Sequence, residues 1–312
     1  KLMRMYGKNQ KKRKLGIICF EGNWHGRTMA SQMMSGNKKQ SEWIGYHDKN
    51  IHHIPFPFPW KTDEKNAEKF LENSLKSLKR KINLKKDVCG VMFETFQGWG
   101  AIFYPSKYVQ LFAKICKKNN ILIAFDEMQA GFSRTGKNFG FEHYNIKPDI
   151  VCCGKGMGGG IAVSGVVGKK KIMDLPDVGN MSSTNSANPI ACSAGLAVIE
   201  EIQKKKLTLK SKRLGVLLHK GLNNIKKKFP NLFDVYGKGL IASMVFDKRV
   251  PNINYKLKLI VEDAMKNGLL LCYTGRESIK IGPPLTITRE ALKEGLKIIE
   301  ESVEKIFKNE QN

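Results

Sequence analysis

Apolar and polar positions divide the first two thirds of the chain into short continuous apolar runs and segments with helical spacing. Apolar residues recur three and four positions apart in Asn66–Lys81 and Tyr104–Lys118, as on the buried face of an amphipathic helix. The continuous apolar runs have the length of buried strands, and they are Leu15–Phe20, Val88–Phe93, Ile121–Phe125 and Asp149–Cys153. Strands that alternate with helices predict an α/β fold, with a mostly parallel sheet covered by helices on both faces.

The pattern changes near residue 205, where strands become short and helices long. The predicted elements of this region are the helices Ala191–Leu207, Leu214–Phe229, Asn254–Lys266 and Thr288–Phe307 and the strands Leu240–Phe246, Leu269–Tyr273 and Ser278–Ile281. We therefore expect a large domain over residues 1–205 and a smaller C-terminal α+β domain over residues 206–312, both within the usual size range of domains.

The segment Ile51–Trp60 carries prolines at positions 55, 57 and 59. Proline has no backbone N–H and its ring clashes with the preceding helical turn, so this segment cannot be a helix. The prolines predict a surface connection.

The chain of 312 residues is 41% hydrophobic, enough for one large core or two unequal ones. No stretch approaches the ~18 apolar residues that a membrane helix needs, and no apolar segment of a signal peptide follows the basic first residues. The seven cysteines are odd in number and have neither disulfide-type nor C-x-x-C spacing. We expect reduced thiols, no membrane association and a cytoplasmic location.

The formal net charge of +26 raises the question of a nucleic-acid partner. Nine of the 54 basic residues are arginines, and the lysines are spread along the chain on polar helix faces. Proteins that read DNA or RNA favour arginine and aromatic platforms, and no such module is present. The charge therefore predicts a solvated lysine-rich surface and no nucleic-acid partner.

An acid and a lysine follow two of the predicted strands. Asp126 directly follows the run Ile121–Phe125, and Lys155 comes 29 residues later, just past the run that ends at Cys153. Open α/β sheets bind ligands outside the carboxyl ends of their strands. The pair suits pyridoxal phosphate, which needs a lysine to hold its aldehyde as a Schiff base and a carboxylate to keep its ring nitrogen protonated. We expect no metal site.

The glycines around Lys155 have two other interpretations. Gly154–Gly159 formally matches the G-x-G-x-x-G dinucleotide fingerprint, which requires a helix immediately afterwards. The next residues, Gly160–Val167, predict a strand instead. A flexible loop with an ordinary exposed lysine is the other alternative, and the motif alone does not exclude it.

Several further motifs occur in a fixed order with this one. They are Trp24–Thr28, Asp126–Gln129, Gly131–Gly136, Lys147–Asp149, Gly154–Gly156, Ser183–Pro189 and Pro283–Leu285. In that order and spacing the chain resembles the class III pyridoxal-phosphate aminotransferases, the ornithine, acetylornithine and 4-aminobutyrate transaminase family, from about residue 18 to about residue 300. The resemblance implies the type I fold of pyridoxal-phosphate transferases. It also implies a transaminase that moves an amino group from an amine or amino acid to an oxo acid or aldehyde.

The resemblance implies roles for individual residues. Lys155 would form the Schiff base, because only a primary amine can form the imine and, once released, carry the proton. Asp126 would hold the ring nitrogen as a cation. The remaining cofactor contacts would come from Trp24 and Met128 on the two ring faces, from Gln129 on the phenolic oxygen, and from Thr184 on the phosphate of the other subunit.

Four residues would face the substrate. Arg27 resembles a family arginine that can hold a carboxylate, and Glu94 matches a family acid beside the site. Trp99 and Lys280 depart from the family, because many members have an acid and an arginine at these positions, and that arginine grips the carboxylate of glutamate or 2-oxoglutarate. A lysine cannot make the planar two-bond contact. This departure predicts an acceptor other than 2-oxoglutarate, or another gating arrangement.

The resemblance also implies a homodimer with shared active sites, and a phosphate-binding loop in an N-terminal region that precedes the part of the family matched here. Two alternatives remain open. One is a relative that uses the same cofactor for aminomutation, racemisation or decarboxylation. The other is a truncated, catalytically inactive homologue.

Overall fold

The computed structural model describes residues 1–11 and 13–308. Its strands are β1 Gly16–Phe20, β2 Ile51–Ile54, β3 Val88–Glu94, β4 Phe96–Gln97, β5 Ile102–Phe103, β6 Leu122–Asp126, β7 Ile150–Cys153, β8 Gly165–Gly168, β9 Phe233–Lys238, β10 Ile241–Phe246, β11 Cys272–Tyr273 and β12 Ser278–Ile281. Its α-helices are α1 Leu2–Gln10, α2 Met29–Met34, α3 Lys38–Ser41, α4 Ala67–Lys79, α5 Leu84–Asp87, α6 Ser106–Lys118, α7 Lys170–Met173, α8 Pro189–Lys204, α9 Leu207–Lys228, α10 Ile253–Lys266 and α11 Arg289–Lys308. Short 3-10 turns occupy Glu42–Ile44, Gly140–Tyr144 and Lys155–Gly158.

The chain forms two compact units. The first unit comprises Lys1–Gln97, Tyr104–Gly131 and Gly140–Glu200. The second unit comprises Gly98–Phe103, Phe132–Phe139 and the chain from Glu201 onward. Both units are discontinuous in sequence, since two short segments of the first two thirds of the chain belong to the second unit.

The first unit contains a six-stranded sheet in the order β2-β1-β3-β6-β7-β8. All neighbours are parallel except β7 and β8, which are antiparallel. Every residue of β1, β3 and β6 is buried, as expected for parallel strands with both faces covered. The mostly parallel α/β sheet predicted from the sequence is confirmed.

Side chains that alternate along these strands form two apolar layers. On one face, Phe93 packs against Phe20 with ring centroids 4.9 Å apart, and it stacks on Phe125 at 4.9 Å. On the other face, α1 crosses β3 at Gly90, where a Cβ atom would lie 2.1 Å from Met3 Sδ. The sequence analysis missed α1, which has no acidic residue in its first turn and no side-chain cap.

The expectation of a surface connection over Ile51–Trp60 is wrong for its first half. The prolines do exclude a helix, but Ile51–Ile54 form the edge strand β2, paired in parallel with β1. Phe56 is fully buried against Phe20 and Tyr104. The prolines begin directly after β2, so they cost the ladder no hydrogen bond.

The second unit contains an antiparallel sheet in the order β11-β12-β10-β9. Apolar residues of α9, α10 and α11 form one core with this sheet, and its fully buried members include Leu218, Leu257, Met244 and Val303. The α9 helix approaches the β9–β10 turn closely, because a Cβ at Gly215 would lie 2.5 Å from Gly239 Cα. Only glycine fits at this contact.

No helix in the described ranges combines the length and the apolar character needed to span a membrane.

Candidate active site

The carboxyl ends of β3 and β6 place two buried acids side by side. Glu94 ends β3, Asp126 ends β6, and the two residues are partners in the parallel register. Both are at most 8% exposed. This edge of the sheet is where open α/β folds bind their ligands.

The Asp126 carboxylate is held from two sides. Its Oδ1 accepts a hydrogen bond from the Met128 backbone N–H at 3.0 Å, and its Oδ2 lies 2.9 Å from Nδ1 of His25. The side chain of His25 is 1% exposed and that of Asp126 is 9% exposed. These two contacts fix the orientation of the carboxylate, and a small part of it remains accessible to solvent.

The loop after β1 is tied to the same sheet edge. The Trp24 backbone N–H donates to Glu94 Oε2 at 3.0 Å, and the His25 N–H donates to Ser35 Oγ at 2.8 Å. Gly26 has φ +123°, a conformation that strongly favours glycine. The Arg27 guanidinium lies over the Trp24 ring, 4.9 Å from its centroid, a cation–π contact.

Lys155 begins a tight turn two residues past β7. Its φ is +45°, a left-handed conformation that is uncommon for residues other than glycine and is often found at functional sites. The preceding Gly154 lets Met128 approach, because a Cβ at Gly154 would lie 2.5 Å from Met128 Sδ. This contact joins the loop of Lys155 to the loop of Asp126. The next helix, α7, begins only at Lys170, so the arrangement that a dinucleotide fingerprint requires is not formed.

These loops enclose one small pocket at the sheet edge. It is lined by Trp24, Glu94, Thr95, Phe96, Asp126, Met128, Gln129, Ala130 and Lys155. The structure therefore brings together six of the ten residues selected from the sequence. A carboxylate, a primary amine, an amide and an indole face one space.

The other four selected residues lie elsewhere. Arg27 is exposed beside Trp24 and has no ion pair among the described residues. Thr184 is exposed in the loop before α8. Trp99 and Lys280 belong to the second unit.

Trp99 and Lys280 are close to each other within that unit. Lys280 Nζ donates to the Gly98 carbonyl at 3.2 Å, and Ser278 Oγ donates to the Trp99 carbonyl at 2.9 Å. The Arg276 guanidinium lies 3.9 Å from the centroid of the Trp99 ring. A stacked arginine was not expected from the sequence.

Sequence reasoning also missed Glu127, which is fully buried next to Asp126. Its carboxylate accepts hydrogen bonds from the Thr95 hydroxyl and from the N–H groups of Gly140 and Phe141 at 2.8 Å. Burial raises the pKa of Glu127 to about 7, although these hydrogen bonds act against the rise. Glu127 thus ties the backbone at Gly140 and Phe141 to the end of β6.

His25 is the second residue that was missed. It is part of the motif Trp24–Thr28, but nothing in the motif alone indicates which side chain turns toward the sheet. The sequence offered one signal for His25, which is its position directly after an aromatic residue in a polar loop.

Comparison with known proteins agrees with this geometry. The family model for class III aminotransferases matches residues 1–303. An acetylornithine aminotransferase of Caldanaerobacter subterraneus is 31% identical over 93% of this chain and 68% of its own length. A leucine/methionine racemase of Thermococcus litoralis is 33% identical over 92% of this chain and 67% of its own length. The chain thus spans about two thirds of these relatives.

A solved transaminase structure from a marine Virgibacillus superposes with a TM-score of 0.88 at 26% identity, covering 98% of this chain and 71% of the other. Because the family model covers nearly the whole chain, the chain belongs to the class III aminotransferases, enzymes whose cofactor is pyridoxal phosphate.

Proposed function

We propose that this protein transfers an amino group from an amine or amino acid to an oxo acid or aldehyde, with Lys155 as the residue that binds pyridoxal phosphate. The observation that carries the proposal is the pocket shared by Asp126, Trp24 and Lys155 at the carboxyl edge of the sheet. The proposal rests on chemical fit, since these three side chains supply an anion, a flat apolar surface and a reactive amine.

The residues of the pocket match the cofactor group by group. Asp126 would pair with the protonated ring nitrogen, an interaction of roughly 4 kcal/mol at an effective dielectric near 20 before desolvation is subtracted. Trp24 and Met128 would contact the two ring faces. Gln129 would donate a hydrogen bond to the phenolic oxygen. When bound, pyridoxal phosphate supplies an electron sink for the carbon that loses its proton.

Lys155 performs the proton chemistry. It would hold the cofactor covalently, and once released its Nζ would accept a proton from the donor carbon and return it elsewhere. The amine of Lys155 has no hydrogen-bond partner among the described residues, and the residue is exposed. Both features leave it free to reach either position.

Substrate recognition is assigned to Arg27, Glu94, Trp99 and Lys280. Arg27 has no competing carboxylate in the described chain, so its guanidinium donors are available to a substrate carboxylate. Trp99 and Lys280 replace the acid and arginine of many relatives, and their closeness within the second unit supports a joint replacement. The donor and acceptor are therefore small amines, amino acids and oxo acids.

Racemisation is the second candidate, because one relative is a leucine/methionine racemase. A racemase returns the proton to the opposite face of the same carbon and needs no oxo acid. Incubation with a single enantiomer of an amino acid, without an oxo acid, distinguishes the two functions, since only a racemase produces the other enantiomer at a catalytic rate.

We further propose a homodimer. In α8 only Gly195 is buried, while Ile190, Leu196 and Ile199 are exposed. An apolar helix without cover is typical of a surface that a partner buries. Thr184 lies in the exposed loop just before this helix, and we assign its hydroxyl to the cofactor phosphate of the second subunit.

The remaining proposals concern location and domains. All seven cysteines are free, and five of them are at least partly buried, which favours a reducing compartment such as the cytoplasm. The boundary near residue 205, between a cofactor domain and a smaller domain, stays a prediction.

The test of Lys155 uses the full-length protein loaded with pyridoxal phosphate. Borohydride reduction should fix the cofactor on Lys155, identified by peptide mass spectrometry. Lys155→Ala should lower kcat at least about a thousandfold, because no other amine can replace it in the pocket. Lys171→Ala, an exposed lysine of the same unit, should keep wild-type turnover. Labelling of another lysine, or more than trace activity in Lys155→Ala, would reject the assignment.

A further inference from the structure

A second cleft lies at the opposite edge of the six-stranded sheet from Asp126 and Lys155. It has a volume of about 730 Å³ and is formed where β6 and β7 begin and where the antiparallel strand β8 ends. Its walls are one side of α6 and the loop over residues 145–147, and all of its residues belong to the first unit. Ligand pockets in proteins measure roughly 300–1,000 Å³, so this cleft has room for a small molecule.

The floor of the cleft is apolar. Ile121 and Leu122, at the start of β6, are each 4% exposed. The partly buried side chains of Tyr6 and Ile146 line the same space. Apolar groups can cover the body of a ligand but cannot pair with a charge, so the walls must supply any charged contacts.

Lysines supply the charge of the walls. Lys114 and Lys117 are three residues apart on α6, so they share one side of that helix. Lys147 lines the cleft from the loop before β7. The ammonium groups of these three lysines have no ion-pair or hydrogen-bond partner among the residues that the structure describes. Like charges around one space repel each other, and a bound anion would relieve that repulsion.

Asp149 is the one acid among the described residues that line the cleft, and its charge is already compensated. Its Oδ1 lies 2.5 Å from Lys169 Nζ, and its Oδ2 accepts a hydrogen bond from the Ile123 N–H at 2.9 Å. Lys169 also lines the cleft. The acid and this lysine therefore cancel, and the positive charge of the other lysines remains in excess.

The carboxyl end of α6 would ordinarily oppose an anion, because the last carbonyl groups of a helix carry partial negative charge. Here the buried Lys14 donates from Nζ to the carbonyls of Asn119 and Asn120, at 2.9 and 2.8 Å. Asn120 itself lines the cleft. The ammonium of Lys14 therefore offsets the negative end of the helix at the place where an anion would approach it.

We propose that this cleft binds an anion with a chain of phosphoryl groups, either inorganic triphosphate or the triphosphate of a nucleotide. Such a chain can contact lysines of α6 and of the facing loop together, which a single phosphate does less well. Ammonium groups suit it because they bind phosphate oxygens as point charges, without the fixed two-bond geometry of a guanidinium. This site is separate from the cofactor pocket and goes beyond the proposed transaminase function.

The binding test uses full-length protein saturated with pyridoxal phosphate, so that triphosphate cannot occupy the place of the cofactor phosphate. Isothermal titration calorimetry at low salt should show saturable binding of inorganic triphosphate, weakened by added salt because contacts between exposed charges are screened. Inorganic phosphate should bind at least about tenfold more weakly, the effect of one lost charge-assisted contact. No binding of triphosphate, or equal affinity for phosphate and triphosphate, would overturn the proposal.

Substitutions assign the binding to the cleft. Lys114→Gln with Lys117→Gln removes two charges from the helical wall, and Lys147→Gln removes one from the loop. We expect the affinity for triphosphate to fall by about tenfold for each lysine removed. Lys76→Gln with Lys79→Gln is the matched control, because these two lysines are exposed and have the same spacing in the last turn of α4. The control should bind triphosphate as wild type does.

Equal losses in the two double variants would show that triphosphate binds to the lysine-rich surface in general, and would overturn the proposal. All of the substituted lysines are exposed, so the variants should fold. Thermal unfolding without any added anion checks this.

ATP and adenosine distinguish the two sources of the phosphoryl chain. ATP that binds more tightly than inorganic triphosphate would identify a nucleotide site, in which the apolar floor covers the base. ATP that binds equally or more weakly would identify an inorganic polyphosphate site. Both results support a site for phosphoryl groups. Adenosine that binds as tightly as ATP would overturn it, because the phosphoryl groups would then contribute nothing.

Acetylation of lysines, read by peptide mass spectrometry with and without triphosphate, locates the site directly. Bound triphosphate should protect Lys114, Lys117 and Lys147 from the reagent. Lys76 and Lys79 should react at the same rate in both samples. Unchanged acetylation of the three cleft lysines at saturating triphosphate would overturn the proposal.

Discussion

The carboxylate of Asp126 is held by two donors, His25 Nδ1 and the Met128 N–H, so that its charge points into the pocket. Its neighbour Glu127 turns the opposite way, into the protein, where it accepts three hydrogen bonds. Two adjacent acids thus have different surroundings because they lie on opposite sides of one strand end.

Asp126→Asn tests the role proposed for Asp126. Asparagine has nearly the same shape and can still hydrogen-bond the ring nitrogen, but it cannot hold that nitrogen as a cation. We expect kcat to fall by about a hundredfold or more, with part of the bound cofactor retained. Steady-state kinetics and cofactor absorbance check this, with Asp174→Asn, an exposed acid paired with Lys170, as the control. Unchanged kinetics would contradict the role.

The raised pKa of Glu127 predicts that the stability of the folded protein depends on pH. Its pKa is raised by burial from the ordinary 4.5 to about 7. The folded state therefore binds more protons than the unfolded state within this window, so this group's contribution to the free energy of unfolding is full below about pH 4.5 and is lost as the pH rises through 7. At 1.36 kcal/mol per pKa unit the loss is about 3 kcal/mol at most.

Glu127→Gln removes the titration. The difference in unfolding free energy between wild type and variant should shrink by up to about 3 kcal/mol from pH 4.5 to pH 8, because only wild type loses the contribution of the protonated acid. Chemical denaturation of both proteins at several pH values measures it. A difference that stays constant with pH would show that Glu127 does not titrate in this range.

At the scale of elements, the positions of strands and their ends determine which side chains come together. The segment from Gly98 to Phe103 and strand β12 meet within the second unit, where Ser278 and Lys280 donate to the carbonyls of Trp99 and Gly98. Arg276 covers the indole of Trp99. Positions 99 and 280 are therefore neighbours, although 181 residues separate them.

This contact supports a prediction on acceptor choice. Wild type should not strongly prefer 2-oxoglutarate over pyruvate, because an ammonium gives one point-charge contact where a guanidinium gives two hydrogen bonds. Trp99→Glu with Lys280→Arg should move the preference toward 2-oxoglutarate by roughly ten- to a hundredfold, the effect of about 1.5–3 kcal/mol. The ratio of kcat/KM for the two acceptors measures it.

The single variants and a control refine the test. Each single change should do less, since an unpaired charge carries its own desolvation cost, and a carboxylate at position 99 alone would also meet Arg276. Lys266→Arg, on α10, should leave the ratio unchanged. A wild-type enzyme that already strongly prefers 2-oxoglutarate, or a double variant with an unchanged ratio, would contradict the idea.

At the scale of the whole molecule, α8 carries several apolar side chains that the described chain leaves uncovered. Ile190 is 73% exposed and Leu196 is 58% exposed. The six-stranded sheet also ends at β8, whose Val166 and Val167 are exposed. Exposed apolar groups of this kind are stabilised when a partner buries them.

The proposed dimer is tested by introducing a charge on α8. Leu196→Glu should shift full-length protein from dimer to monomer at micromolar concentration, because a carboxylate in an apolar interface is desolvated without a partner. Leu270→Glu, at an exposed apolar residue of the second unit, should leave the mass unchanged. Analytical ultracentrifugation gives the mass. A wild-type monomer with full activity would refute the shared site.

The sequence by itself determined the α/β class, the positions of most strands and the order of the family motifs. Continuous apolar runs such as Val88–Phe93 indicate burial on both faces of a sheet, because polar residues are disfavoured in the middle of such strands. Lys155 and Asp126 could be assigned to one site from the sequence alone, because the carboxyl ends of parallel strands lie on the same edge of the sheet. Strand β2 was not predicted from the sequence, because it has only four residues and the prolines follow it directly.

Only the tertiary structure decided which loop side chains turn inward. His25 meets Asp126, and Glu127 meets the backbone of Gly140 and Phe141, through hydrogen bonds between segments that are distant in sequence. Periodicity cannot indicate such contacts, because loop residues have no regular spacing and their direction depends on where neighbouring strands end. The same holds for Arg276 on Trp99, since cation–π stacking depends on the meeting of two segments and leaves no pattern in either one.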